Sequence, residues 1–172
     1  LAAGDKFIIN SDHSSAIEPD TNWATIASVD SNTQITLSAA YTGSGSSGDY
    51  KARKVYSVPA DERWSFAVVD DKFCFTNGST NVQYYTGSGY ATDLDSTWAS
   101  KAKYCIEFAN RLCLADFYLS GLRDPFSLLY SGEGDPTAWD PASDPTAGMY
   151  AFLDSDEEIT GLGKVGNNLI IY

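Results

Sequence analysis

Three segments of the chain share one pattern: an apolar strand, a tight polar turn and a second apolar strand. They are Ser65-Phe66-Ala67-Val68-Val69-Asp70-Asp71-Lys72-Phe73-Cys74-Phe75, Tyr104-Cys105-Ile106-Glu107-Phe108-Ala109-Asn110-Arg111-Leu112-Cys113-Leu114, and Leu162-Gly163-Lys164-Val165-Gly166-Asn167-Asn168-Leu169-Ile170-Ile171-Tyr172. Superposed, Val69, Phe108 and Val165 coincide, as do Phe73, Leu112 and Leu169, at steps of 39 and then 57 residues. A hairpin recurring at such a period predicts radial or stacked β architecture. The hairpins carry no activated nucleophile, metal cluster or phosphate loop, so the repeat points to a scaffold.

Each of the first two hairpins runs on into a third apolar strand, Val82-Gln83-Tyr84-Tyr85 and Phe126-Ser127-Leu128-Leu129-Tyr130, which ends in a Gly turn. Two hairpin strands and an outer strand make most of a propeller blade. Eleven Tyr and four Trp favour pleated, half-buried strands, and helix signals are poor throughout. The expected fold is therefore all-β. A small antiparallel barrel or sandwich over 1–58 precedes propeller-like hairpin blades over 59–172, two blades and the start of a third. With no initiator Met and with Tyr172 closing the third hairpin, the sequence reads as part of a longer protein.

In the front unit, Lys6-Phe7-Ile8-Ile9-Asn10 is a short strand. Asn22 to Val29 and Thr33 to Leu37 alternate with period two around Asp30-Ser31-Asn32 and should pair as a hairpin. Trp23, Ile26, Ile35 and Leu37 are its expected core. Tyr50 to Tyr56 resumes as a strand after a Gly/Ser loop. Between the second and third hairpins, Asp135-Pro136, Asp140-Pro141 and Asp144-Pro145 predict a stiff, multiply turned loop. Trp139 is expected to tuck that loop against the sheet.

Eleven basic and 23 acidic residues give a net charge of −12, which disfavours counterion-driven DNA or RNA binding and attraction to anionic membranes. No apolar run is long enough to span a bilayer as a helix. Cys74, Cys105 and Cys113 lack metal-ligand spacing. With Ala109-Asn110 as a two-residue turn, Ile106 faces Cys113 and Cys105 faces Leu114. Cys105 and Cys113 then lie on opposite faces and should not bridge. All three read as free core thiols, suited to a reducing cytoplasm.

His13 is the single histidine, in a polar stretch with no companion ligand. Asp154-Ser155-Asp156-Glu157-Glu158 lacks the spacing and glycine of a calcium loop. Gly43-Ser44-Gly45-Ser46-Ser47-Gly48 lacks the Lys and helix of a phosphate loop. No catalytic, cofactor-binding or metal-binding residue is assigned. Exposed aromatic residues on a β scaffold keep a carbohydrate- or receptor-binding role open. A hydrolase would need a pocket of convergent polar groups.

The order Asn110-Arg111-Leu112, Tyr130-Ser131-Gly132-Glu133-Gly134-Asp135-Pro136-Thr137-Ala138-Trp139, Asp156-Glu157-Glu158-Ile159-Thr160-Gly161-Leu162 and Gly166-Asn167-Asn168-Leu169-Ile170-Ile171-Tyr172 resembles propeller-type segments of hub or nozzle proteins in the tails and necks of short-tailed bacteriophages. Trp23-Ala24-Thr25-Ile26, Thr33-Gln34-Ile35-Thr36-Leu37 and Tyr41-Thr42-Gly43 are similar to small β domains of virion proteins. The resemblance implies a non-enzymatic virion component, assembled in the host cytoplasm. It would form a ring of identical subunits around a channel, next to other tail or neck proteins. It brings no cofactor and no catalytic residue. An acidic channel wall would let DNA pass without specific binding.

Overall fold

The computed structural model describes residues 2–9, 23–32, 34–43, 50–53, 55–56, 62–94, 97–152 and 157–172. No helix occurs among them, and their strands form antiparallel sheets, none closed. The chain divides into two compact units, Leu1–Tyr56 and Ser57–Tyr172.

The first unit is one four-stranded sheet of β1 (Lys6–Ile9), β2 (Ala24–Ser31), β3 (Gln34–Leu37) and β4 (Tyr50–Arg53), in the order β3-β2-β1-β4. The expected hairpin is β2–β3, with Ile26 opposite Leu37 and Val29 opposite Ile35. Strand β2 runs on through Ser31, so the turn is shorter than 30–32. Asp30 accepts the Ser28 and Thr36 hydroxyls (both 2.7 Å), which holds its carboxyl below the usual range. Ile8 and Ile26 are buried, whereas Trp23, Ile35 and Leu37 are half-buried. Ile8 lies on the inner strand β1, which pairs with β2 at Lys6 and Phe7 and with β4 from Lys6 to Ile9.

The second unit begins with sheet I: β5 (Ser65–Val69), β6 (Lys72–Thr76), β7 (Gln83–Tyr85) and β8 (Thr92–Asp93), paired in sequence order. Sheet II repeats this meander with β9 (Lys101–Phe108), β10 (Arg111–Leu119), β11 (Leu122–Tyr130) and β12 (Gly148–Ala151). Sheet III is the hairpin β13 (Leu162–Val165) and β14 (Asn168–Ile171). Each of the first two sheets thus has a fourth strand beyond the three read from sequence.

The turns explain the register. Asp70 and Asp71 (φ 47° and 57°), and Ala109 and Asn110 (φ 50° and 57°), both have the left-handed pair of a type I′ hairpin. That turn twists with the strands and locks Ile106 opposite Cys113 and Cys105 opposite Leu114.

The sheets stack by one repeated relation. The face of sheet I bearing Ala67, Val69 and Cys74, its back, shares a core with Cys105, Leu112 and Leu114 on the front of sheet II. The back of sheet II, bearing Ile106, Phe108 and Cys113, packs on Leu162, Leu169 and Ile171 on the front of sheet III. These sets occupy equivalent positions of the repeat. The leading strands lie against one another, β5 on β9 and β9 on β13. At the first junction Cys105 N–H donates to Ser65 Oγ, which donates to the Cys105 carbonyl (both 2.9 Å). At the second, Lys164 Nζ meets Glu107 at 2.7 Å, a pair of equivalent residues from successive repeats.

One irregularity serves this packing. Ala115 and Phe117 are two residues apart, and a regular strand would aim both at one face. Asp116 adopts φ 49° at a break in the β10–β11 ladder, and Ala115 joins the back core while Phe117 joins the front one. Pro125 on β11 lies at that break, where a missing N–H costs no ladder bond.

Candidate functional site

The Asp-Pro loop and the β9–β10 turn form one clasp at the end of sheet II. Ser131 is buried, its N–H bonds the Leu112 carbonyl and its Oγ accepts the Leu112 N–H (both 3.0 Å). Gly134 N–H donates to the Asn110 carbonyl at 2.7 Å. Arg111 reaches from the turn to the Thr146 carbonyl (Nε, 3.2 Å) and to Glu133 (3.4 Å). The segments Asn110-Arg111-Leu112 and Ser131 to Trp139, distant in sequence, are thereby one structural element.

Each Asp-Pro pair makes the same local turn. Asp135, Asp140 and Asp144 accept the backbone N–H two residues on, from Thr137, Ala142 and Thr146, at 2.8–2.9 Å. Asp144 also takes the Thr146 hydroxyl (2.6 Å), and these bonds hold its carboxyl below the usual range. A Cβ at Gly132 would run into the Asp144 carboxylate, so any larger residue there would displace that side chain from its turn. Trp139 is buried in the core between sheets I and II, tucking the loop as expected.

Two cavities flank these elements. One of about 550 Å³ is lined by Phe108, Arg111, Cys113, Leu128, Tyr130 and Leu169. Among the described residues no carboxylate or histidine lines it, and burial pushes the Cys113 thiol up to about 12, which leaves no thiolate for nucleophilic attack near neutrality. The other, about 330 Å³, is lined by Thr97, Trp98, Trp139, Asp140, Ser143 and Asp144. Trp139 Nε1 is buried with no hydrogen-bond partner among the described residues.

An ion-pair network crosses sheet II. Arg123 grips Asp116 through Nε (2.6 Å) and Nη2 (2.8 Å), and also meets Glu158 at 2.9 and 3.0 Å. The Asp116 side chain is 7% exposed and the Arg123 side chain 40%. The two carboxylates raise the Arg123 pKa further. This places Glu158, from the acidic turn considered for calcium, in a pair with arginine.

His13, Asp154 to Asp156 and Ser44 to Gly48 lie outside the described residues. No group of three His, Cys, Asp or Glu among the described residues could hold a metal ion. The cysteines are free and buried, Cys105 on the front of sheet II and Cys113 on its back.

Sequence reasoning missed the exposed aromatic row on the front of sheet I. Phe66 and Phe73 stack at 5.5 Å and 18°, Trp64 stacks on Phe66 at 6.3 Å, and Phe75 joins at 5.7 Å from both Trp64 and Phe73. Phe66, Val68 and Phe73 are 54%, 58% and 40% exposed. Alternation in 65–75 put these side chains on one face, but not which face the next sheet would cover. No protein-family model matches the chain, and no curated protein matches it in sequence.

Proposed function

We propose that this chain is a structural, non-enzymatic component of a phage virion, a tail or neck hub or nozzle subunit that oligomerises around the DNA channel. The observation that carries this reading is the stacking of successive antiparallel meanders by one repeated relation, with the leading strands side by side. In this reading the meanders are propeller blades set around an axis, two blades and the first hairpin of a third. Two of the motifs that resemble phage tail proteins, Asn110-Arg111-Leu112 and Ser131 to Trp139, support it from a second side, since together they form the clasp that closes the end of sheet II. In this reading the net charge of −12 keeps passing DNA from adhering. The test is the location of the chain in virions. Mass spectrometry of purified particles should find it at a fixed copy number, and immunogold labelling should mark the tail or neck. Its absence from particles defeats the reading.

One observation favours a second reading, a carbohydrate- or receptor-binding module. The 330 Å³ cavity sets Trp98 and Trp139 beside Asp140 and Asp144, the mix of ring and acceptor that sugars use. Glycan-array binding lost in Trp98→Ala would select this reading. Silence across the array would remove it.

A further inference from the structure

Asn77-Gly78 is the single Asn-Gly step in the chain, and the fold sets it at the junction of sheets I and II. It lies just past β6, where Thr76 Oγ1 and the Gly78 N–H both donate to the Ala102 carbonyl of β9, the second at 2.8 Å. Farther along the same turn the Val82 N–H donates to the Ser100 carbonyl at 3.1 Å, and Asn81 pairs with Lys101. Asn77 is fully buried. Its Oδ1 accepts the Ser79 N–H (3.1 Å), the Thr80 N–H (2.8 Å) and the Thr80 hydroxyl (2.9 Å). Its Nδ2 is buried with no hydrogen-bond partner among the described residues. Asp135, Asp140 and Asp144 make the same kind of turn with a carboxylate, from half-buried positions. At 77 the role falls to an amide. A carboxylate could serve the same donors, but it would put a charge in a fully buried turn that already holds Glu62, which accepts the Ser79 hydroxyl.

We propose that Asn77 is a spontaneous modification site, silent while the turn is docked on sheet II and converted to a carboxylate when sheets I and II part. The chemistry needs no enzyme. The Gly78 nitrogen attacks the Asn77 side-chain carbonyl carbon, a C–N bond forms, and the side-chain nitrogen leaves as ammonia with the Gly78 proton. Water then opens the cyclic imide at either carbonyl and leaves an aspartyl or an isoaspartyl residue. Glycine at 78 has no side chain to obstruct that ring. In the docked turn the first step is blocked. The Ala102 carbonyl holds the proton of the attacking nitrogen, three hydrogen bonds fix the amide, and burial excludes the base that must take the proton. These restraints go when the turn lifts from β9. The product weakens the junction in turn. Its carboxylate shares the turn with Glu62, and an isoaspartyl residue adds a methylene to the backbone that has to bring Gly78 to Ala102. Conversion thus records opening of the junction and hinders its closing, whether or not the chain is a virion protein.

The experiment is peptide mapping by mass spectrometry of the full chain, held at mildly alkaline pH in buffer and in denaturing urea, with Asn77→Gln as the blank. Conversion at Asn77 should be roughly a hundredfold slower in buffer, because it waits for opening. Thr76→Val removes one of the two bonds to Ala102 and should speed conversion in buffer by roughly tenfold, with the rate in urea unchanged. Asn77→Asp, the aspartyl product made directly, should fold by far-UV circular dichroism but unfold at a lower urea concentration than wild type. Equal rates in buffer and in urea overturn the inference. So does a folded Thr76→Val chain that converts in buffer no faster than wild type. An Asn77→Asp chain as stable as wild type overturns the weakening of the junction. Should Thr76→Val fail to fold, the comparison of buffer with urea in wild type still decides.

Discussion

Leu112 and Phe73 occupy the same position of the repeat, yet truncating them should have very different costs. Leu112 is fully buried between sheets I and II, whereas Phe73 is 40% exposed on the front of sheet I. Leu112→Ala removes a buried side chain and leaves a cavity walled on both sides, which costs about 3 kcal/mol. Phe73→Ala removes a larger side chain, but only its covered part contributes and solvent fills the gap. Its cost is about 1.2 kcal/mol. With a urea slope of about 2 kcal/mol/M, the midpoints fall by about 1.5 M and about 0.6 M. The assay is urea unfolding by circular dichroism at concentrations where the chain is monomeric, fitted with separate transitions for its two units. Equal shifts would refute the assignment of an open front face. A Leu112→Ala shift near zero would refute the shared core of sheets I and II.

Other sites give sharper local tests. Ala109 holds φ 50° in a type I′ turn, so Ala109→Gly should raise stability by about 0.5–1 kcal/mol, seen as a higher urea midpoint. Arg123→Met strips Asp116 of its partner, and with Arg123 itself 40% exposed the cost should be about 2 kcal/mol; Asp116→Asn in the same chain should recover part of it. Burial pushes Cys74 and Cys113 up to about 12 and Cys105 up to about 11, so an aromatic disulfide reagent at pH 8 should label none in the native chain and all three in urea. The Lys164 ammonium, and then the Asn110 N–H, hold the Glu107 carboxyl below its ordinary range. The stability this adds is present above the unfolded pKa, about 4.3, and is lost as pH falls through the lower folded value. Wild type and Glu107→Gln should therefore differ at pH 7 and converge in acid; a constant gap would refute the assignment.

The hairpins were legible because two short-range rules coincide in them. Period-two alternation marks the faces, and a two-residue turn fixes the register, so the pairing of Cys105 with Leu114 and of Ile106 with Cys113 follows from local sequence. The fourth strands were not. Thr92–Asp93 is two exposed residues, and Gly148–Ala151 begins with a glycine that lets Tyr130 pass, 2.7 Å from where a Cβ would sit. Their strand character comes from the neighbour they pair with. The order β3-β2-β1-β4, which makes the strand of the buried Ile8 an inner one, is likewise not encoded in alternation. In the candidate site, each Asp-Pro turn was readable alone. Its docking on Asn110, Arg111 and Leu112 was not, since those bonds span 19 to 35 residues. Asp116 hides in an apolar run, where no composition signal marks a left-handed residue that sends Phe117 to the other core.

A stack built by one repeated relation has to end somewhere, and the chemistry of its ends separates the ways it can do so. A stack that stops in solvent carries a terminal repeat with a polar outer face. Sheet I does the opposite. Its outer strands and its buried face are ordinary for the repeat, but its front carries Phe66, Val68 and Phe73, more apolar bulk than the Cys105 and Leu112 that sheet II buries at the positions of Phe66 and Phe73. Val68 is the telling substitution. Its equivalents are Glu107 and Lys164, a charged pair that tolerates water at the rim of the second junction. A valine there neither pairs nor solvates, and it gains free energy only under another surface. Val68→Lys should therefore raise solubility while leaving the urea midpoint within about 0.25 M of wild type, since an exposed valine contributes little to the fold. A midpoint that falls as far as that of Leu112→Ala would mean that the position is covered.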